Sequence, residues 1–280
     1  MSSPPPSLPP TEQPEPIPRG LLTAVLARGS LLLCLDFDGT LSEIVPHPAD
    51  ARPLSGVGEV LSALARDPAR ITVAIISGRE IAEVRRMLGV ERGILFAGTH
   101  GLEIMSADGV SRLAPGVEAA EADLVAARAW LARNVATTEG FVIEDKRVAI
   151  AVHYRMVDPA LAHERCAALR NFVEAKTPGL RILRGKMIDE LLPRGVGGKG
   201  RAIRTLLQEC AYPKSVPVYF GDDTTDEDAF QEIRDDGIGV LVGSARPSWA
   251  RYRVASPSEV RRLLAELAQE LLHTSKAPAR

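Results

Sequence analysis

The sequence predicts an α/β fold, a doubly wound parallel sheet with an inserted, smaller α+β domain. Four short apolar runs support the sheet, at Leu31–Leu35, Ile71–Ile76, 216–220 and Ile238–Val242. Such runs are typical of strands that are buried on both faces. Three helical patterns lie between or after these runs, at 80–88, 199–210 and 258–272. Strands that alternate with helices build a parallel sheet with helices on both faces.

The middle of the chain has a different pattern. It consists of a helix, a strand pair, a second helix and a further strand, at 117–135, 141–144 with 148–154, Pro159–Lys176 and 180–183. Apolar residues alternate with others along 148–154, which is the period of an antiparallel strand with one exposed face. We therefore predict four segments. They are a disordered proline-rich tail at 1–20, a core at 21–112, an α+β cap at 113–189 and a second part of the core at 190–280.

Composition and charge narrow the class of function. The chain has 280 residues, of which 45% are apolar, and its 34 basic and 36 acidic residues leave a formal net charge of -2. These charges are mixed along the chain, so we expect neither nucleic acid nor a membrane as partner. The apolar stretch at 21–35 is too short and too interrupted to span a bilayer. A small-molecule substrate fits better, and a monomer is the expected state.

The cysteines indicate a cytoplasmic protein. Cys34, Cys166 and Cys210 are far apart and form no CxxC pair. An odd number of widely spaced cysteines argues against both a disulfide framework and a structural zinc site. We therefore expect reduced thiols in the core.

Two acidic clusters follow predicted strands. Asp36 and Asp38 follow the apolar run Leu31–Leu35. Asp222 follows the apolar run at 216–220, from which Gly221 alone separates it. Ligands of open α/β sheets bind at the carboxyl ends of the strands. Carboxylates held together repel each other unless a cation lies between them, and hard oxygen donors favour Mg²⁺. We predict a Mg²⁺ site formed by Asp36, Asp38 and Asp222, with a solvated turn as the alternative for either cluster alone.

Two further positions suit a phosphate ligand. Ser77 follows Ile71–Ile76, where its hydroxyl can donate to a phosphate oxygen or cap the next helix, and Arg79 can form a fork with an anion. Lys199 opens a helix after a glycine-rich segment, but Gly200 follows it where a nucleotide-binding loop needs Ser or Thr. Because a lysine there opposes the helix dipole, it is a candidate for holding phosphate, or else an ordinary solvated lysine.

The motifs, in their order along the chain, resemble those of the haloacid dehalogenase-like (HAD) phosphatases. The matching segments are Asp-Phe-Asp-Gly-Thr at 36–40, Ser77, Lys199 and Gly-Asp-Asp-Thr-Thr-Asp-Glu-Asp at 221–228. Further segments are similar to those of trehalose-6-phosphate phosphatases: Gly-Thr-His-Gly at 98–101, Glu-Asp-Lys at 144–146, His-Tyr-Arg at 153–155 and Glu-Leu-Leu-Pro at 190–193.

The resemblance covers residues 31–242 and implies a HAD-like Rossmann-type core, a mobile α+β cap, Mg²⁺ and a sugar phosphate substrate. It also implies that Glu144, Lys146 and Glu190 bind the sugar, with Arg79 and His100 as further substrate-binding residues. For the two glutamates and the lysine, surface ion pairs are the alternative.

The implied reaction is hydrolysis of trehalose 6-phosphate to trehalose and inorganic phosphate, the last step of trehalose biosynthesis. In this hypothesis Asp36, which is ionised at neutral pH, attacks the phosphorus and becomes phosphorylated. Asp38 protonates the departing sugar oxygen and then activates water. Mg²⁺, held by Asp36, the Asp38 backbone carbonyl and Asp222, neutralises the phosphoryl group together with Ser77 and Lys199. The alternatives are a phosphatase of the sucrose or mannosylglycerate phosphate type and a non-catalytic sugar-phosphate sensor.

Overall fold

The computed structural model describes residues 13–45, 48–185, 187–209 and 214–275. The chain divides into two compact units. One unit, the insertion, is Leu113–Gly197. The other, the core unit, consists of the described residues before 113 and from 198 onward.

The described residues form thirteen strands, eight α-helices and several short 3₁₀ turns. The strands are β1 (Glu15–Pro16), β2 (Leu31–Leu35), β3 (Ile71–Ile76), β4 (Ile94–Gly98), β5 (Glu103–Met105), β6 (Ser111–Leu113), β7 (Val142–Asp145), β8 (Ile150–His153), β9 (Leu180–Gly185), β10 (Ile188–Pro193), β11 (Val216–Gly221), β12 (Ile238–Val242) and β13 (Tyr252–Val254). The helices are α1 (Leu21–Leu26), α2 (Val57–Leu64), α3 (Ile81–Leu88), α4 (Glu121–Asn134), α5 (Pro159–Lys176), α6 (Lys199–Glu209), α7 (Glu227–Glu232) and α8 (Pro257–Ser275).

The core unit contains a nine-stranded sheet in the order β1-β13-β12-β11-β2-β3-β4-β5-β6. In this spatial order, the seven strands β1-β13-β12-β11-β2-β3-β4 are parallel to one another, and β5 is antiparallel to β4. Side chains of β2 alternate between two apolar clusters, with Leu33 and Leu35 in one and Leu32 and Cys34 in the other. Burial on both faces explains why β2 is apolar throughout, and the predicted α/β fold with a parallel sheet is confirmed.

The insertion contains a four-stranded sheet in the order β7-β8-β10-β9, in which all neighbours are antiparallel. Leu124 of α4 and Leu169 of α5 join Ile150 and Val152 of β8 in a third apolar cluster. The predicted boundary at residue 189 needs correction, because β10 pairs with both β8 and β9 and the unit ends at Gly197. Since β10 is almost entirely buried, its residues do not alternate as those along 148–154 do. The exposed face predicted for 148–154 is wrong, because residues 148–152 are all buried.

The predicted tail at 1–20 also needs correction in its second part. Residues 1–12 lie outside the described residues. The next residues form β1, where Glu15 N donates to the Arg251 carbonyl at 3.2 Å and Ile17 N donates to the Arg253 carbonyl at 3.0 Å. Pro16 is tolerated because β1 is an edge strand. Ile17 packs against the apolar core, which gives the segment buried surface despite its prolines.

Two of the three cysteines predicted to be reduced thiols in the core lie among the described residues. Cys34 and Cys166 are both buried, and neither forms a disulfide within the described part of the chain. Cys210 lies outside the described residues. Separately, no helix among the described residues has both the length and the apolar character needed to cross a bilayer.

Arg170 should be needed for the stability of the insertion. The fully buried Asp189 carboxylate accepts hydrogen bonds from Arg170 Nε at 2.8 Å and from a second guanidinium nitrogen at 3.1 Å. Arg170→Met leaves that carboxylate buried without its partner and should cost about 3 kcal/mol in the free energy of unfolding. Arg128→Met is the matched control, because Arg128 pairs at 2.7 Å with Asp145, whose side chain is 48% exposed, and such pairs contribute about 1 kcal/mol or less. Urea unfolding measures both, and equal losses would contradict this prediction.

Candidate active site

Asp36 and Asp222 begin at neighbouring points on one edge of the core sheet. Asp36 follows β2, and its backbone N–H donates to the Phe220 carbonyl of β11 at 2.9 Å. Asp222 follows β11 directly. Strands β2 and β11 are adjacent and parallel, with Leu35 paired to Phe220. Acidic residues that are far apart in the sequence therefore start side by side.

The carboxylates of Asp36, Asp222 and Asp226 offer oxygen atoms that lie within 4.8 Å of one another. Gly39 permits this close packing, because a Cβ at that position would lie 2.2 Å from Asp222 Oδ2 and the backbone has a φ of +72°. The expectation that Asp36 and Asp222 come together agrees with this geometry. The Asp38 carboxylate is not in the cluster, so a contact between Asp38 and a metal would have to use its backbone carbonyl.

Lys199 is buried at the start of α6, between two of these carboxylates. Its Nζ lies 2.9 Å from Asp36 Oδ2 and 2.6 Å from Asp226 Oδ1. Asp226 also accepts from the Tyr219 hydroxyl and, at 2.9 Å, from the backbone N–H of Asp223. Asp226 is thus held by three donors, while Asp36 and Asp222 remain the better placed to bind a cation.

The electrostatics of the cluster favour a bound cation. Burial raises the pKa of Asp36 well above its usual range, against the opposing charge of Lys199. Burial, followed by the charge of Asp226, raises the pKa of Asp222 to about 7. Burial alone would lower the pKa of Lys199, but the charges of Asp226 and Asp36 outweigh it and raise that pKa. One lysine against three carboxylates leaves excess negative charge. Carboxylate oxygens are the ligands that Mg²⁺ prefers, so these residues fit that ion.

Arg79 contacts carboxylates of its own unit. Its Nε donates to Asp38 Oδ2 at 2.7 Å, and a second nitrogen donates to Asp38 Oδ1 at 2.9 Å. A third nitrogen donates to Glu83 at 2.6 Å, and the guanidinium lies 5.6 Å from the centre of the Phe37 ring. Ser77, at the end of β3, accepts from the Arg79 backbone N–H at 3.2 Å. The predicted anion-binding arginine is therefore paired with the predicted acid–base residue.

The backbone of His100 is hydrogen-bonded to two segments of the core unit, one at Ser77 and one at Gly198. Its backbone N–H donates to the Ser77 carbonyl at 3.0 Å, and its carbonyl accepts from Gly198 N at 2.7 Å. His100 has a φ of +56°, and a Cβ at Gly78 would lie 2.7 Å from its ring. The Gly-Thr-His-Gly segment thus joins the end of β3 to the residue before Lys199. That His100 contacts substrate stays a prediction.

The predicted sugar-binding residues come together within the insertion. Lys146 Nζ lies 3.0 Å from Glu190 Oε1 and 4.0 Å from Glu144 Oε2, and His153 Nε2 lies 3.2 Å from the same Glu144 oxygen. Glu144 on β7 and Glu190 on β10 both pair with Ala151 of β8. Cross-strand neighbours share a face of the sheet, so the small Ala151 side chain lies between the two carboxylates. The hydrogen bond with His153 is the main cause of a lowered pKa of Glu144.

Two residues of this site were not among the predicted ligands. Asp226 belongs to the acidic segment, and its side chain accepts from the backbone N–H of Asp223 in a capping box of which Asp223 is the N-cap residue. Tyr219 lies inside the apolar strand β11, where the sequence pattern does not distinguish it from a core aromatic residue. An acidic residue four positions after Asp222 is the signal that could have identified Asp226.

The trehalose-phosphatase family matches residues 34–258 of this chain. The chain is 35% identical over 243 residues to the trehalose-phosphate phosphatase of Mycobacterium marinum (strain ATCC BAA-535 / M), a match that covers 84% of this chain and 61% of that protein. It is 39% identical over 246 residues to an uncharacterized glycosyl hydrolase of Mycobacterium tuberculosis (strain CDC 1551 / Oshkosh), covering 85% of this chain and 18% of that protein. The chain therefore spans less than two thirds of the length of these relatives.

A solved structure is similar in fold. The C-terminal domain of C. albicans trehalose-6-phosphate phosphatase matches with a TM-score of 0.75 and 24% identity, covering 92% of this chain and 99% of that one. At this identity the likeness concerns the fold alone. The family match, by contrast, extends over both acidic segments and the whole insertion. On that ground the chain belongs to the trehalose-phosphatase family of the HAD superfamily.

Proposed function

We propose that this chain is a Mg²⁺-dependent phosphatase that hydrolyses trehalose 6-phosphate to trehalose and inorganic phosphate through a phosphorylated Asp36. The observation that carries the proposal is the position of Asp36, whose carboxylate lies 2.9 Å from the buried Lys199 Nζ and in one cluster with Asp222. Family membership supports the choice of substrate. The reaction would be the last step of trehalose biosynthesis, and the buried thiols of Cys34 and Cys166 suit a cytoplasmic site.

Asp36 has to be ionised in order to attack phosphorus. Its Oδ1 accepts from the Phe37 backbone N–H at 2.8 Å, and its Oδ2 faces Lys199. These two contacts orient the carboxylate and favour its charged form, against the effect of burial. Asp36, the Asp38 carbonyl and Asp222 would hold a divalent cation, which would supply further positive charge for the carboxylate and the phosphoryl oxygens.

Lys199 and Ser77 would hold the phosphoryl group. Lys199 is fixed by Asp226, so its charge stays in place when Asp36 becomes phosphorylated. The Ser77 oxygen accepts from the Arg79 backbone N–H, which leaves the hydroxyl proton to donate to a phosphoryl oxygen. Such pre-positioned donors stabilise charge that develops in the transition state.

Asp38 would act as the acid and then as the base. Two hydrogen bonds from Arg79 hold its carboxylate in one orientation, which suits the second task of activating water. For the first task Asp38 has to be protonated, so the pair has to open. We propose that the substrate phosphate competes for Arg79, which would combine the predicted anion-binding role of Arg79 with the contact it makes to Asp38.

The insertion would act as a cap that recognises the sugar. Lys146 and Glu190 are buried, and Glu144 is partly exposed. Two carboxylates and one ammonium provide acceptors and donors that suit the hydroxyl groups of a disaccharide. Binding that depends on such groups discriminates strongly against substrates that lack the matching hydroxyls.

Asp36→Asn should abolish turnover of trehalose 6-phosphate. The variant keeps the shape of the side chain but removes the nucleophile, and we expect kcat/KM to fall by about 10⁴-fold or more. Release of inorganic phosphate measures the loss.

Removal of divalent metal with a chelator should abolish phosphate release by the unaltered protein, and added Mg²⁺ should restore it. Activity that survives either change would disprove the mechanism.

Glu144→Ala and Glu190→Ala should impair turnover of trehalose 6-phosphate much more than that of a small aryl phosphate. Each variant removes an acceptor for sugar hydroxyls, and we expect about 10²-fold loss of kcat/KM on the sugar phosphate with only small changes on the aryl ester. Glu174→Ala, at an exposed position of α5 in the same unit, is the control. Comparable losses on both substrates would argue against a sugar-binding role, and a panel with sucrose and mannosylglycerate phosphates tests the choice of sugar.

The metal-free protein should lose stability as the pH rises from 6 to 8. A carboxyl group whose pKa is raised by folding contributes stability at low pH, and this contribution is lost as the pH rises through the raised value. For Asp222, with its pKa raised to about 7, the loss over this interval is about 1 kcal/mol. It corresponds to about 2–4 °C in Tm.

Thermal unfolding in the presence of a chelator measures this effect. Saturating Mg²⁺ should remove most of the pH dependence, because the cation binds the ionised carboxylates. Asp222→Asn should reduce the slope in the metal-free protein. A Tm that rises over the interval in the unaltered protein but not in the variant would show that the sign is wrong.

A further inference from the structure

Arg246 connects the acidic loop after β11 to the loop after β12. One guanidinium nitrogen donates to the Asp223 carbonyl at 2.9 Å and, more weakly, to the Asp222 carbonyl at 3.4 Å. Another donates to the Glu227 carboxylate and to the Pro247 carbonyl. Arg246 therefore contacts the backbone of the residue that carries the proposed metal ligand.

Glu227 fixes Arg246 in this position. Its carboxylate also accepts from Ser248 Oγ at 2.9 and 3.1 Å and from the Trp249 backbone N–H at 2.8 Å. The side chains of Arg246 and Glu227 are only 28% and 16% exposed. A guanidinium held by a largely buried carboxylate loses little further freedom when it donates to the carbonyls, which makes it a rigid support.

The acidic loop needs such a support. The Asp222 carboxylate lies against the backbone of Gly39, close enough that a Cβ there would overlap with it. This carboxylate also offers an oxygen within 4.8 Å of carboxylate oxygens of Asp36 and Asp226, so like charges surround it. Repulsion among neighbouring carboxylates tends to move the loop away from Asp36 when the metal is absent.

We propose that Arg246 is a positioning residue for the metal site, and that its hydrogen bonds to the Asp223 and Asp222 carbonyls hold the Asp222 carboxylate where it can share a cation with Asp36. The inference rests on the proposed function, since it concerns the same site. Arg246 acts through the backbone of the ligand and contacts neither metal nor substrate. Partners that orient metal ligands typically change metal affinity by about 10–100-fold when they are removed.

Arg246→Met keeps the aliphatic part of the side chain and removes all donors. We expect Mg²⁺ to bind about tenfold more weakly, as measured by calorimetric titration of the protein without substrate. At saturating Mg²⁺ the KM for the sugar phosphate should remain close to that of the unaltered protein, whereas the Tm should fall because Glu227 loses its charged partner. Arg246→Lys, which keeps the charge and can donate to one carbonyl, should recover part of the affinity.

Arg204→Met is the matched control. Arg204 likewise joins a carboxylate and a backbone carbonyl of α7, both from Glu232, together with Asp236. Its partners lie at the other end of that helix from Asp222, so Mg²⁺ affinity should be unchanged. Glu227→Gln should weaken Mg²⁺ binding in the same direction as Arg246→Met, and the double variant should lose less than the sum of the two.

The outcomes separate the two proposals. If the unaltered protein binds no Mg²⁺, the proposed metal site fails and this inference fails with it. If it binds Mg²⁺ and Arg246→Met binds equally well, only the role of Arg246 is overturned. Should Arg246→Met fail to fold, the same titration on Arg246→Lys and Glu227→Gln decides the question, and unchanged affinity in both overturns the inference.

Discussion

The ion pair network of Lys199 is the interaction on which the site depends. Lys199 Nζ lies within 3 Å of both Asp36 and Asp226, and all three groups are buried. Moving such charges out of water costs several kcal/mol per ion unless close partners offset the cost. The Tyr219 hydroxyl and the Asp223 backbone N–H supply further donors to Asp226. The lysine therefore allows the central strands to end in carboxylates without exposing the edge of the sheet to solvent.

The sequence pattern was sufficient to predict four strands of the core sheet, β2, β3, β11 and β12, and the position of its acidic residues, but not β4 or β13. Apolar runs identify β2 and β11 because both are buried on both faces, and the motif after each strand then lies at the ligand-binding edge. What the pattern could not supply is the order of strands and the long-range contacts of individual side chains. The pairing of Arg79 with Asp38 joins residues 41 positions apart through a contact that no periodicity encodes.

In the insertion, too, long-range contacts of side chains could not be predicted from the sequence pattern. In β8 the small Ala151 lies between Ile150 and Val152, so the residue pattern alternates although all three are buried, whereas β10 is buried along most of its length and carries Asp189 and Glu190 in its interior. Charged residues in a buried strand are stabilised by partners, here Arg170 and Lys146, that lie 19 and 44 positions away. Because the sequence does not reveal these partners, β10 resembles the start of a new segment. The boundary of the insertion was therefore predicted at residue 189 and not at Gly197.

The two units carry comparable charge clusters with different chemical consequences. In each, a buried lysine lies between two carboxylates: Lys199 in the core unit and Lys146 in the insertion. The core cluster has a further carboxylate, Asp222, and so more negative charge, which suits a divalent cation. The insertion cluster has a net charge of about -1 from its two glutamates and one lysine, and that charge repels a dianion while accepting hydrogen bonds from neutral hydroxyls. In the proposed function, this difference in charge is the reason for assigning the phosphate to the core unit and the sugar to the insertion.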